Sequence, residues 1–301
     1  MKQLFIQLNA AILLLLSFSF HCMGADNYTL EYNLEKGKTY NQNMVSVTNM
    51  KMNTMGQDIN MVMTMEMGFQ YDVLGLNNGV YDVRTSYRKI KSNMSSPMMS
   101  LNIDSDSPEN STDKALGDIF KSLTGVPIDL QLTKQGKVIS VKGIEKLVEK
   151  INAISNPQYK MMVDQQFSEK AIKATFEQMA PYFPSKPVAI GDSWDVNTTV
   201  NSSGFDIISK MKVTLKQVKD NIATLDCTGT LTTPEGGAVI NVQGMDAKAS
   251  IKGNQVGNIL MDMKTGWITR SEINQKFDLD MEIMGQTMQQ KIETKVTVTA
   301  D

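Results

Sequence analysis

Met61-Val62-Met63-Thr64-Met65-Glu66-Met67-Gly68-Phe69-Gln70-Tyr71-Asp72-Val73 sets an apolar side chain at every odd position and a polar or small one at most even positions. Successive side chains of an extended strand point to opposite faces. This period of two therefore predicts a long strand with one face on a core and the other in water. Antiparallel sheets accommodate such half-wetted strands, whereas parallel sheets bury both faces. Just upstream, Met55-Gly56-Gln57-Asp58 reads as a hairpin with glycine first in a two-residue loop. That register sets Met52 opposite Met61, Met50 opposite Met63 and Met44 opposite Phe69, all on one face.

The pattern recurs on both sides. Tyr28, Leu30, Tyr32 and Leu34 alternate with polar residues and predict an earlier strand. Phe277, Leu279, Met281 and Ile283 alternate with Asp278, Asp280 and Glu282. There Met284-Gly285-Gln286-Thr287 repeats the hairpin, with Ile283 expected opposite Met288, Leu279 opposite Ile292 and Asp280 opposite Lys291. Two further echoes pair Gly37-Lys38-Thr39-Tyr40 with Gly191-Asp192-Ser193-Trp194, and residues 77–83 with residues 219–225. Together they predict two similar β halves.

Residues 92–111 read as a polar loop rich in Ser, Asn and Pro. Ile128–Thr133 and Lys137–Val141 flank Lys134-Gln135-Gly136 as another hairpin, and helices are expected over Gly143–Ile154, Gln158–Glu169 and Lys170–Met179. Pro181, Pro184 and Pro187 stop the last of these. The predicted class is α+β, mainly antiparallel β. Two similar β halves form a curved or half-barrel sheet, with a central helical insert packed on its concave side. The expected boundaries are a leader over 1–24, an N-terminal β half over 25–111, a hairpin and helical insert over 112–184, and a C-terminal β half over 185–301.

Lys2, an apolar run from Ala10 to Phe20, and then Cys22-Met23-Gly24 have the layout of a secretory signal cleaved after Gly24. The run is shorter than the ~20 residues a spanning helix needs. An alternative is acylation of Cys22, the one membrane attachment this chain suggests, although His21 is not the small residue that such processing favours. The expected location is the periplasm or the cell surface. His21 is the only histidine, and Cys22 is one of two cysteines. A processed chain would keep neither, which removes the usual nucleophile–base pairs, Cys/His metal patterns and any internal disulfide. Cys227, the remaining thiol, alternates with Ala223 and Leu225 and reads as core. The formal charge of −2 becomes −3 when Lys2 leaves, so no basic footprint points to nucleic acid.

Lys186-Pro187-Val188-Ala189-Ile190-Gly191-Asp192-Ser193-Trp194, together with Met263-Lys264-Thr265-Gly266-Trp267, resembles a family of exported bacterial proteins known only as a domain of unknown function. The shared features are a "pVxxGDsW" strand start and a "TG" turn, and the resemblance covers most of the processed chain. It implies export and architecture, and brings no activity, catalytic residue, cofactor or ligand.

Methionine is the compositional anomaly: 21 of 23 remain once Met1 and Met23 leave with the leader. A flexible thioether core is one reading. A face left partly unfilled for an apolar ligand is another, with Met50, Met52, Met61, Met63, Met65, Met67 and Phe69 as its candidate residues. Thioethers spaced Met-x-Met also suit Cu(I), though no histidine assists. Asp278, Asp280 and Glu282 form a carboxylate row that reads as a solvated face rather than a Ca²⁺ site or one half of a glycosidase pair. Ser111-Thr112-Asp113-Lys114 with Lys264-Thr265-Gly266 has two elements of the penicillin-recognising enzymes but lacks the Ser-x-Asn between them. Trp194 and Trp267 stand beside turns, where tryptophan caps a core more often than it stacks on sugars. The expected function is non-enzymatic, without cofactor or metal: binding of an apolar small molecule or lipid. The alternative is a cell-envelope interaction or structural module without a pocket, followed by a Cu(I) binder or a carboxylate hydrolase.

Overall fold

The computed structural model describes residues 26–301 apart from 55–56, 98, 179–182, 203–204, 243–244 and 284–285. The leader, His21, Cys22 and the tips Met55-Gly56 and Met284-Gly285 lie outside the described residues.

Alternating strands join into a single antiparallel sheet. They are β1 (Thr39–Thr54), β2 (Gln57–Asn77), β3 (Val80–Ser95), β4 (Ser100–Asp104), β5 (Ile128–Thr133), β6 (Val138–Lys142), β7 (Ser193–Ser202), β8 (Phe205–Lys219), β9 (Ile222–Thr232), β10 (Ala238–Val242), β11 (Met245–Asp262), β12 (Ile268–Ile283) and β13 (Gln286–Ala300). Their order is β6-β5-β3-β2-β1-β13-β12-β11-β9-β8-β7, with β4 added on β3 and β10 on β11. The runs β6-β5-β3-β2-β1 and β12-β11-β9-β8-β7 repeat one order, and β13 stitches them together.

Local geometry repeats as well. Gly37 N–H donates to Val73 O at 2.8 Å and Val73 N–H to Lys38 O at 3.0 Å; Gly191, Leu215 and Asp192 make the same pair of bonds at 2.8 and 3.0 Å. Both β2 and β8 then break register, after Val73 and after Leu215. Both turn with two residues at positive φ, Asn78-Gly79 in one half and Asp220-Asn221 in the other.

Four expectations need correction. The hairpin registers differ by two residues: Met50 faces Met61 and Gln42 faces Phe69, while Phe277 faces Ile292 and Asp278 faces Lys291. Pairing closes at Thr54↔Gln57 and Ile283↔Gln286, so glycine is the second linking residue, not the first. Glycine suits either central position of such loops, and a two-residue shift keeps every side chain on its face. Next, the Met55-Gly56 and Met284-Gly285 echo does not relate equivalent hairpins. The β1–β2 connection corresponds to β7–β8, which closes at Ser202↔Phe205.

Third, residues 28–34 form no strand. Only Tyr28 bridges Val188, while Tyr32 N–H donates to Lys134 O and Asn33 N–H to Thr265 O. The segment straps several strand ends, and its alternation reflects burial of Leu30, Tyr32 and Leu34 rather than sheet pairing. Fourth, residues 92–111 are not one loop. β3 runs to Ser95, β4 pairs back on it, and Pro108–Asn110 form a 3-10 turn.

The helices are α1 (Lys114–Leu123), α2 (Glu145–Asn152), α3 (Pro157–Phe167) and α4 (Glu169–Gln178). Asp113 caps α1 by accepting from Leu116 N–H, and Asn156 caps α3. Their apolar stripes, including Phe120, Leu147, Phe167 and Phe176, pack on Phe69, Tyr81, Tyr87 and Ile90 in the main core. α4 touches both edge strands, β6 and β7. The unclosed sheet thus curls until its two edges flank one helix, with the helices on its concave side. The strap over 28–34 lies at one end of this half-barrel. The β1–β2 and β12–β13 hairpins lie at the other, the hairpin end.

Candidate apolar-ligand face

Directly opposed residues of antiparallel strands share a face, so the register maps the concave wall row by row. One row runs Leu231, Gly253, Phe277, Ile292, Met50, Met61 across β9, β11, β12, β13, β1 and β2. The next row toward the strap runs Gly229, Gln255, Gln275, Thr294, Thr48, Met63, Met94. Around Met261, Leu225 and Val213 a second core closes the wall at the strapped end of the C-terminal half. The candidate residues divide along this axis. Phe69 (0 % exposed) and Met65 (8 %) belong to the core beneath the helices, and Met67 packs against it. Met50, Met52, Met61 and Met63 remain half-buried nearer the hairpin end.

No described inward-facing side chain of β1, β2, β8, β9, β11, β12 or β13 bears a formal charge. The convex side is the reverse. Lys276 pairs with Glu293 at 3.0 Å, Lys295 with Glu272 at 2.9 Å, and Lys89 with Glu66. Hydrogen bonds from Lys295 and Asn274 hold the Glu272 carboxyl below the usual range. Asp278 lies on this side opposite Lys252 and Lys291, with Asp280 and Glu282 at alternate positions along the same strand. Among the described residues no group of His, Cys, Asp and Glu is placed to hold a metal ion.

A small cavity of about 30 Å³, lined by Tyr32, Gln42, Tyr71, Phe176 and Trp267 among others, sits near the strap. It admits water but falls well short of the ~300 Å³ at which ligand sites begin. Trp267 packs against Tyr40 at 4.8 Å with tilted rings and edge-on against Tyr71 at 5.3 Å, and it is buried, so it caps the core. Trp194 packs against the second core. The turn before Trp267 is closed by Asp262, whose Oδ1 accepts from Lys264 N–H, Thr265 N–H and the Thr265 hydroxyl. Ser111 Oγ accepts from Asp104 N–H, far along the chain and in another turn. Both motif fragments thus serve local turns. Burial, and then Asp226, pushes the Cys227 thiol up to about 12, which leaves it no nucleophile.

Sequence reasoning overlooked Gln255, Gln275, Thr294 and Thr48. Each is a polar residue on a mainly apolar period-two face, and only the register brings them into one row.

Among solved structures the chain is similar to lipovitellin, in a structure on lipid–protein interactions in that protein, with TM-score 0.51 and 9% identity over 89% of this chain and 25% of the other. The chain thus spans a quarter of lipovitellin's length, and the likeness is one of fold. It also aligns with the translocator domain of the autotransporter NalP from Neisseria meningitidis (TM-score 0.23, 6% identity, 89% of each chain). A third alignment is to the COG4313 outer membrane channel from Pseudomonas putida F1 (TM-score 0.25, 7% identity, 90% of this chain and 98% of the other). Scores that low carry no argument. No curated protein matches the chain. A family model does match, over residues 78–268, more than half of the chain and a span that contains both Lys186–Trp194 and Met263–Trp267. The chain belongs to DUF6263, a family of unknown function.

Proposed function

We propose that the protein is an exported, non-enzymatic binder of apolar molecules, lipids first among them, which it holds against the hairpin end of its concave face. The observation that carries this reading is a wall of uncharged, half-buried side chains, methionine above all, on the hollow side of a sheet whose other side is charged. Soluble proteins rarely leave a contiguous apolar patch beyond a few hundred Å² in water. Thioether side chains bend to varied shapes, which suits a flexible ligand. Each buried methylene contributes roughly 0.8 kcal/mol, so an acyl chain binds without a charged anchor.

The polarity of the two faces supports a soluble carrier over a channel. A membrane-spanning barrel turns its apolar band outward to lipid and keeps a polar lumen; here the charged pairs face outward. The fold likeness to lipovitellin, described for its lipid–protein interactions, supports the same reading, and the leader-like N-terminus supports export.

Native mass spectrometry of protein purified from its own cells tests it. The expected result is a near-stoichiometric added mass, released by denaturing organic extraction, and absent in a Met61→Glu variant that keeps its circular dichroism. A bare mass combined with failure to take up an apolar fluorescent dye would rule the reading out. A retained protein partner in place of lipid would favour the interaction module.

A further inference from the structure

Polar residues are scattered over the concave wall at Gln42, Ser46, Ser271 and Gln290, but at one level they stand side by side. Gln255, Gln275, Thr294 and Thr48 oppose one another on four successive strands and form a polar row. Phe277, Ile292 and Met50 border it toward the hairpin end, and Ile273, Val296 and Ser46 toward the strap. The row is organised. Gln255 Nε2 donates to Ser209 Oγ at 2.6 Å, Gln275 Nε2 donates to Gln255 Oε1 at 3.2 Å, and the Thr48 and Thr294 hydroxyls lie 3.1 Å apart. Gln255 is 4 % exposed and held from both sides. Gln275, Thr294 and Thr48 are only half-buried.

Bonds within the row offset the cost of placing amides in a mainly apolar wall, and the half-buried Gln275, Thr294 and Thr48 have further hydrogen-bonding capacity to offer the hollow. Glycines flank Gln255 along β11. A Cβ on Gly253 would stand 2.3 Å from Phe277 Cβ, and one on Gly257 2.3 Å from Ile273 Cδ1. β11 therefore lies close against β12 at the level where the two amides meet.

We infer that this row is the recognition element of the lipid site proposed above, and that it selects an uncharged acyl ester. The inference rests on that apolar-ligand reading. Neutral amide and hydroxyl groups take the ester, and the acyl chain follows Phe277, Leu279 and Met281 toward the hairpin end. Charge decides against fatty acids and phospholipids. No described side chain of the wall would neutralise a carboxylate or phosphate, and an unpaired charge is costly to bury. An ester needs only hydrogen bonds. From Gln275 to Met281 the strand runs about 20 Å, comparable to an extended long acyl chain.

Displacement of an apolar fluorescent dye from the full-length protein tests this with three probes of one chain length: methyl oleate, oleate and octadecene. Methyl oleate is expected to displace at about fivefold lower concentration than octadecene, the worth of one hydrogen bond, with oleate weakest. In Gln275→Leu that ester advantage should shrink to within roughly twofold while octadecene binds as before. Thr294→Val, which removes a single hydroxyl, should narrow it in part, with folding of both variants checked by circular dichroism. Equal displacement by methyl oleate and octadecene, or tightest binding of oleate, would overturn the ester preference and leave the apolar site standing. A wild-type protein that takes up no dye would overturn the underlying reading and the ester preference with it.

Discussion

Thr85 is 0 % exposed on the inner face of β3, opposite Tyr71 and Ile128, and its hydroxyl has no hydrogen-bond partner among the described residues. An orphaned buried hydroxyl subtracts from stability, while valine keeps the shape without the dipole. Thr85→Val should therefore raise the unfolding free energy by about 1 kcal/mol, read from urea titration. Asp113 is the opposite case. It accepts from Leu116 N–H at 3.1 Å and from the Tyr159 hydroxyl, and so ties the start of α1 to α3. The Tyr159 bond, and then the Leu116 N–H, hold its carboxyl below the usual 3.8. A depressed acid stabilises the fold above its unfolded pKa, and that contribution fades as pH falls through the folded value. Asp113→Ala should thus cost about 1 kcal/mol at neutral pH, and its deficit against the wild type should shrink as urea titrations are repeated below pH ~4.

At the scale of elements, β11 meets its neighbours through glycine. A Cβ on Gly253 would lie 2.4 Å from the Lys276 carbonyl oxygen as well as against Phe277, and backbone cannot step aside as a side-chain end can. Gly253→Ala should push β11 from β12 and lower stability by about 1–3 kcal/mol in thermal melts. Elements also mark how far sequence reading reaches. Alternation located the long strands, and the Gly37 and Gly191 echo proved to be a true structural repeat, because turn and bulge chemistry is local. Register was not local. Glycine at either loop position satisfies the same hairpin, so pairings came out two residues off with faces intact. The strap over 28–34 has strand-like alternation because burial on one side imposes it, whatever the backbone bonds to. The Gln255–Thr48 row was invisible for the same reason. Its members lie in separate parts of the chain, and each alone is an unremarkable polar residue.

At the scale of the whole molecule, the division between filled core and half-open wall makes oxidation a probe of the proposed site. Met65, Met211 and Met261 are buried at 8 %, 4 % and 1 % exposure, whereas Met50, Met61 and Met63 are half-buried toward the hairpin end. Dilute peroxide should convert the second set to sulfoxide first, which peptide mass mapping will order. Sulfoxide makes an apolar side chain polar, so a wall that binds by burying methylenes should lose dye uptake in step with oxidation at those residues. The melting transition should persist, because the cores around Phe69 and Val213 hold no oxidised side chain at that stage. Loading the protein with methyl oleate beforehand should slow oxidation of Met50, Met61 and Met63 and leave the rate at exposed Met99 unchanged. Full dye uptake by protein oxidised at all three would show that the ligand does not reach β1 and β2, which would confine it to the β12 side of the wall or place it elsewhere.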